Sequence, residues 1–214
     1  MKQFMTVIAV ASLFPPLQAQ VLFTYDFAGA DPGGDAAVPS VTHLALSPFA
    51  RVNVGVASQT DVFASSHWTT GASRDPGEFV SFTLQPETGY ELHLAGLQWD
   101  CSRTTSGPKT SEAELLKNGA SLALSGSFTV GTSMANELFD FSDATATASD
   151  TLEFRFYGWD ASSTGNLRLD NVSGLGTVVP TVPEPAAYAL AAATGLLAFA
   201  IHRRLRRPSR EPAR

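Results

Sequence analysis

Much of the chain alternates apolar and polar residues with a period of two, which places every second side chain on one face of a β-strand. The clearest case is residues 78–84, where Val80, Phe82 and Leu84 fall on one face. Residues 152–157 alternate in the same way, and breaks rich in Gly, Pro, Ser and Asp separate such runs. Short runs bounded by turn residues predict an all-β body.

We predict about ten strands in this body. They cover residues 21–27, 42–46, 51–56, 78–84, 91–100, 113–117, 121–130, 137–142, 152–159 and 167–172. Strands in this number, without long helices, favour two packed antiparallel sheets. The predicted fold is therefore a single antiparallel β-sandwich of the jelly-roll kind.

One hairpin is predicted by its turn residues. Asn118-Gly119 separates residues 113–117 from the run that begins at Ser121, and an Asn-Gly pair favours the type I′ turn of a two-residue hairpin. The alternative is a helical turn over residues 112–117.

The first residues carry an export signal. Lys2 precedes an apolar run at residues 4–14, and Pro15-Pro16 leads to the small residue Ala19. This order is typical of a secretory signal peptide, so we predict one at residues 1–19 with cleavage after Ala19. The alternative is a hydrophobic first strand.

A second apolar run, at residues 186–201, contains no charged residue. As a helix it would be about 24 Å long, slightly less than the roughly 30 Å of a bilayer core. A buried helix of a soluble domain is the alternative. A basic cluster follows the run directly and favours a transmembrane helix with its tip in the cytoplasm; it consists of Arg203, Arg204, Arg206 and Arg207.

The tripeptide Pro183-Glu184-Pro185 precedes this run. Both prolines lack a backbone donor and disfavour helix, so the segment is predicted to be extended. The tripeptide, the apolar run and the basic cluster together resemble the PEP-CTERM sorting signal of exported bacterial proteins. The resemblance implies that Pro183, Glu184 and Pro185 are recognised by an exosortase, an integral-membrane cysteine protease. It also implies that the arginines act as a stop signal.

The body also resembles exported PEP-CTERM proteins that have a jelly-roll domain. The likeness rests on the order of residues 89–92, 106–108, 154–158 and 167–172. We therefore expect five regions along the chain. They are a signal peptide at 1–19, a β-sandwich at 20–173, a linker at 174–182, a sorting and anchor segment at 183–207 and a cytoplasmic tail at 208–214.

Charge is distributed unevenly along the chain. Residues 21–182 contain seven basic and eighteen acidic residues, a net charge of −11, whereas six arginines lie in the last dozen residues. Nucleic acids need a basic surface, so they are excluded as partners of this body.

No catalytic pattern is evident. Cys101 is the one cysteine and is expected to be a buried small hydrophobe, with no disulfide. His43, His67 and His93 lack the spacing of a zinc protease. Glu78 and Glu91 could face one another as glycosidase acids do, but so could any two glutamates on strands. We predict no enzymatic activity.

Two binding sites are candidates. Sugars stack on exposed aromatic rings, and Trp68 in a Ser/Thr-rich loop is the first choice, ahead of Trp99, Tyr157 and Trp159. A structural calcium ion needs carboxylate oxygens, and Asp26 and Asp170 could supply them if the first and last strands are neighbours. No other cofactor is predicted.

These features predict an exported, non-catalytic protein that reaches the cell surface or extracellular matrix as an exosortase substrate. Its precursor would contact the membrane through residues 186–201, and an extracellular polysaccharide is a candidate partner. The alternative is a carbohydrate-binding module or glycan hydrolase that uses the same tail as an anchor.

Overall fold

A computed structural model describes residues 20–29, 41–181, 193–199 and 202 of the 214-residue chain. The predicted signal peptide at 1–19 lies outside these residues. So do Pro183, Glu184 and Pro185 and the arginines 203, 204, 206 and 207. Of the predicted transmembrane run, residues 193–199 are described and are helical. Within the described residues, no helix is both long and apolar enough to cross a bilayer.

The described residues form thirteen strands. These are β1 (Gln20–Tyr25), β2 (Leu44–Leu46), β3 (Ala50–Val52), β4 (Gly55–Val56), β5 (Phe63–Ser66), β6 (Phe79–Pro86), β7 (Tyr90–Arg103), β8 (Thr110–Lys117), β9 (Ala120–Leu124), β10 (Phe128–Thr129), β11 (Ala135–Thr147), β12 (Leu152–Trp159) and β13 (Leu167–Pro180).

The strands make two antiparallel sheets. The first has the order β11-β7-β13-β5-β4, and β1 also pairs with β13. The second has the order β10-β8-β12-β6-β2, with β3 pairing β6 and β9 pairing β8. This arrangement confirms the prediction of an all-β protein with two antiparallel sheets.

Side chains from both sheets meet in one apolar core, and the period-two pattern decides which they are. Val80, Phe82 and Leu84 of β6 are buried as predicted, and Phe154 and Phe156 of β12 are buried with them. Many of the contacts are between aromatic rings, such as the edge-on packing of Trp99 against Phe156 at 5.2 Å. A separate, smaller cluster lies outside this core, on the other face of the second sheet.

The hairpin prediction is confirmed. Lys117 pairs with Ala120, which leaves Asn118-Gly119 as a two-residue turn. Both turn residues have positive φ, 52° for Asn118 and 81° for Gly119, as a type I′ turn requires. The helical alternative is wrong, because residues 112–117 belong to β8.

Two predicted strands are divided in the structure, and one strand was not predicted. Residues 51–56 divide between β3 and β4, which pair in different sheets, and Asn53 between them has a φ of 54°. Residues 121–130 divide into β9 and β10 at Gly126, whose φ is 74°. β5 was not predicted, because all four of its residues are buried and the run shows no alternation.

The last strand is longer than predicted. β13 continues to Pro180, so residues 174–180, expected to be linker, lie in the first sheet. Gly174 and Gly176 resemble linker residues in sequence, yet both are required by packing. A Cβ on Gly174 would collide with the ring of Phe23, and one on Gly176 would collide with the carbonyl oxygen of His93.

Candidate functional site on the outer face of the second sheet

The aromatic residue first chosen for sugar binding is inside the protein. Trp68 is only 3% exposed, and its indole N–H donates to the carbonyl oxygen of Ser65 at 2.8 Å. Its ring therefore cannot stack on a sugar in this fold, and that prediction is wrong. Trp99 is also part of the core.

The other two predicted aromatics lie on the opposite face of β12 from Phe154 and Phe156. Tyr157 and Trp159 form a small second cluster with Phe79 of β6, and Val52 packs against it. The rings of Phe79 and Tyr157 lie 5.8 Å apart. Alternation along β12 builds this cluster, because residues of odd number point away from the core.

Two arginines cover these rings. The guanidinium carbon of Arg74 lies 4.5 Å from the ring centroid of Tyr157, and that of Arg155 lies 4.4 Å from the centroid of Phe79. Cation–π contacts of this kind hold a guanidinium group in place over a ring. Phe79, Tyr157 and Trp159 are all buried, although they lie outside the main core.

Carboxylates balance the arginines. Arg74 Nη1 lies 2.8 Å from Glu112 Oε2 and 3.8 Å from Glu114 Oε2. Arg155 donates to both carboxylate oxygens of Glu153, at 3.0 and 2.8 Å. Tyr157 donates its hydroxyl to Glu114 Oε2 at 2.7 Å. The face is thus an array of ion pairs placed over aromatic rings.

The electrostatics of this array keep Glu114 ionised and Tyr157 protonated. Burial by itself would raise the pKa of Glu114, but hydrogen bonds from Ser121 and Tyr157 and the charges of Arg74 and Arg155 outweigh it, so the pKa is lowered. Burial, followed by the hydrogen bond to Glu114, raises the pKa of Tyr157 to about 12. Neither group is poised to exchange a proton near neutral pH.

A groove of about 550 Å³ opens beside this array. The Arg74–Glu112 pair and Trp159 line it from the sheet and its covering loop, while Leu124 and Ser127 line it from β9 and the loop that follows. Leu124 is 49% exposed. Planar ion-paired groups beside an apolar wall can bind a polar ligand that also has an apolar surface.

The three histidines considered for catalysis each have a different neighbour. The ring of His43 stacks on Tyr90, Nδ1 of His67 lies 2.9 Å from the Ser66 hydroxyl, and Nε2 of His93 lies 3.7 Å from Glu91. Glu91 is on β7 of the first sheet, whereas Glu78 directly precedes β6 of the second. The structure thus places the two glutamates at different sheets, and the glycosidase pair stays a hypothesis.

Cys101 is buried in the core, as predicted. Burial, with a smaller contribution from the charge of Glu137, raises the pKa of its thiol to about 12. A thiol in this state is not a nucleophile at neutral pH.

Of the two aspartates considered for calcium, Asp26 directly follows β1 and Asp170 lies in β13, the strand with which β1 pairs. Burial raises the pKa of Asp170, and the charges of Asp100, Asp26 and Asp61 raise it further. The part of the chain that the structure describes contains no group of three or more His, Cys, Asp or Glu side chains able to hold a metal ion. Calcium at Asp26 and Asp170 stays a prediction.

Sequence reasoning missed Arg74, Glu112, Glu114 and Arg155. The alternation of β12 was a usable signal for Arg155, because it places that residue on the same face as Tyr157. No comparable signal existed for Arg74, which reaches the sheet from the loop between β5 and β6.

Comparison with known proteins adds one match in sequence. Residues 181–204 match the family described as the PEP-CTERM protein-sorting motif. No curated protein matches the chain.

Among solved structures, a CBM4 structure is 18% identical with a TM-score of 0.41, over 60% of this chain and 94% of its own. A mutant of a family 29 carbohydrate-binding module complexed with mannohexaose is 10% identical with a TM-score of 0.42, over 74% of this chain and 93% of its own. The two antiparallel sheets of this chain are followed by a PEP-CTERM protein-sorting motif at residues 181–204.

Proposed function

We propose that this chain is an exported protein that an exosortase sorts through its PEP-CTERM motif. The precursor halts in the membrane through residues 186–201 with its arginines in the cytoplasm. Pro183-Glu184-Pro185 is then presented to the exosortase outside, and the body is delivered to the cell surface or extracellular matrix. The body contributes no catalysis of its own.

The observation that carries this proposal is the motif match at residues 181–204. The order of tripeptide, uncharged run and arginine cluster within it supplies a physical reason. Clustered arginines after an apolar run are retained on the cytoplasmic side, so the tripeptide stays on the outer side, where the body is.

The test replaces Glu184 with alanine in the full-length precursor. We expect Glu184→Ala to accumulate as an uncleaved, membrane-bound protein, because the tripeptide loses its only charged group. Intact mass and membrane fractionation measure this. Glu211→Ala is the matched control, since it removes a glutamate outside the matched region, and it should be processed normally. A Glu184→Ala protein with the mature mass and location of the wild type would overturn the proposal.

Glycan binding by the body is a second candidate, and the groove beside Trp159 favours it. The Arg74–Glu112 pair offers donors and acceptors to neighbouring sugar hydroxyls, and Leu124 offers an apolar surface to sugar C–H groups. Arg74 is already paired and residues 21–182 carry a net charge of −11. An uncharged glycan therefore suits the groove better than an acidic one.

This candidate is tested by filling the groove. We expect Ser127→Trp to abolish binding of neutral polysaccharides in affinity electrophoresis, because its ring would occupy the space that the sugar needs. Glu153→Gln, which alters an ion pair elsewhere on the same face, should bind as the wild type does. A wild-type body that binds no glycan on an array would remove this candidate and leave the sorting proposal intact.

A further inference from the structure

The sorting motif begins where the folded body ends, with no linker between them. Pro180 pairs with Tyr90 as the last residue of β13. The N–H of Thr181 continues the ladder by donating to the carbonyl oxygen of Gly89 at 2.9 Å. The matched motif starts at Thr181 itself, so one residue is both the end of the sheet and the start of the signal.

This arrangement leaves little room for an enzyme. Glu184 is three positions after Thr181, and an extended chain spans about 10 Å over three such steps. A groove that holds two residues on each side of the tripeptide would contain residues 181–187. Thr181 cannot occupy such a groove while its N–H is bonded to Gly89.

The end of β13 is the weakly held part of the strand. β1 pairs with β13 only as far as Gly176, so among the described strands β7 alone pairs with Thr177, Val178, Val179 and Pro180. The buried positions of β13 end at Gly176, and the last four residues are partly or fully exposed. Short, exposed ladders of this kind open locally at low free energy.

The strand cannot lengthen towards the tripeptide. If the strand continued, Pro183 and Pro185 would take the alternate positions whose N–H faces β7, as that of Thr181 does, but they have no N–H to donate. The prolines therefore favour an end to the pairing just before the recognition residues. Thr181 is the last residue bonded to the sheet and the first residue of the motif.

We infer that residues 177–181 peel away from β7 when the exosortase takes the tripeptide, and that the strength of this ladder sets the rate of processing. The inference rests on the proposed sorting function and concerns its regulation. A body whose last strand is firmly paired is processed slowly, and loosening of that end speeds release.

A reversible lock tests the inference. Val179 and Glu91 are register partners on the outer face of the first sheet, and Cα atoms of antiparallel partners lie at a distance that a disulfide can bridge. In the full-length Glu91→Cys/Val179→Cys precursor, we expect exosortase-containing membranes to cleave the oxidised form at least about tenfold more slowly than the reduced form. Reductant should restore the rate.

Two further variants complete the experiment. A flexible Gly-Ser spacer of about six residues placed after Thr181 should restore cleavage of the oxidised lock, because the tripeptide then reaches the enzyme without peeling. Val178→Ala, which removes contacts of Val178 with the core, should be cleaved faster than the wild type without any crosslink.

Equal rates for oxidised and reduced protein, or no change in Val178→Ala, would overturn the inference while the motif is still cleaved. Cleavage that persists in Glu184→Ala would instead overturn the sorting proposal. The two failures are therefore distinguishable.

Discussion

Two buried tyrosines donate their hydroxyl groups to acceptors of different charge, which determines how much each hydrogen bond stabilises the fold. Tyr157 donates to the carboxylate of Glu114 at 2.7 Å, whereas Tyr25 donates to the backbone carbonyl of Ser47 at 2.6 Å. A hydrogen bond to a charged acceptor contributes about 1.5–3 kcal/mol, and a neutral one about 0.5–1.5 kcal/mol.

We expect Tyr157→Phe to lower the free energy of unfolding by about 2 kcal/mol and Tyr25→Phe by about 1 kcal/mol. Urea denaturation of the isolated body measures both. Each variant removes one buried hydroxyl and keeps the ring, so Tyr25→Phe is the matched control. A larger loss in Tyr25→Phe would show that the array on the second sheet is not stabilised through Glu114.

The contributions of Glu114 and Glu137 to the free energy of unfolding should change with pH in opposite directions. The pKa of Glu114 is lowered in the folded protein, so its charge stabilises the fold above the ordinary glutamate pKa of about 4.3. That contribution is lost as the pH falls through the folded value. The pKa of Glu137 is raised by burial, so its charge destabilises the fold, and acidification through the raised value relieves this.

The measurement is the free energy of unfolding from pH 7 down to about pH 3. The wild type should have a higher free energy of unfolding than Glu114→Gln at pH 7, and this difference should shrink on acidification below the ordinary glutamate pKa. The wild type should have a lower free energy of unfolding than Glu137→Gln at pH 7, and this difference should shrink at higher pH, around the raised pKa of Glu137. Parallel curves for the two variants would contradict the environments assigned to these carboxylates.

At the scale of elements, the β8–β9 hairpin depends on the left-handed backbone of its turn. Gly119 has a φ of 81°, and no atom lies within 4 Å of the position that a Cβ would take. Any penalty of a side chain there is therefore conformational and amounts to about 1 kcal/mol.

We expect Gly119→Ala to lower the free energy of unfolding by about 1 kcal/mol, measured by thermal or urea denaturation. Gly131→Ala is the control, because its φ is not in the left-handed region and a Cβ there would meet its nearest atom at an ordinary 3.6 Å. A Gly119→Ala protein as stable as Gly131→Ala would mean that the turn relaxes to another type.

At the scale of the whole molecule, charge works against compactness. Residues 21–182 carry a net charge of −11, and Asp170 is close enough to Asp26, Asp61 and Asp100 for their charges to act on it. Added salt weakens such repulsion, and at 0.1 M exposed charges more than about 10 Å apart are largely screened from one another.

The melting temperature of the body should rise as NaCl increases from about 0.01 M to about 0.3 M, because screening relieves this repulsion. Differential scanning calorimetry measures the change. CaCl₂ at matched ionic strength is the control for specific binding. A larger shift with calcium, lost in Asp170→Asn, would support the predicted calcium site, whereas a fall in melting temperature with NaCl would contradict the role given to net charge.

Much of this protein could be read from the order of its residues alone. Alternation predicted the all-β fold and the buried faces of β6 and β12, and the Asn118-Gly119 pair predicted its hairpin. These features depend on neighbours a few positions apart. The sorting motif was also legible, since the tripeptide, apolar run and arginines act through their own local preferences.

Only the tertiary structure decided which aromatic rings are accessible and where the last strand ends. Trp68 packs into the main core, where the carbonyl oxygen of Ser65 accepts its indole N–H. Arg74 reaches Tyr157 across a long separation in sequence. Gly174 and Gly176 looked like linker residues, yet Phe23 and His93 need the space that their missing side chains leave. Contacts between distant segments decide such features, and no local pattern records which segments will meet.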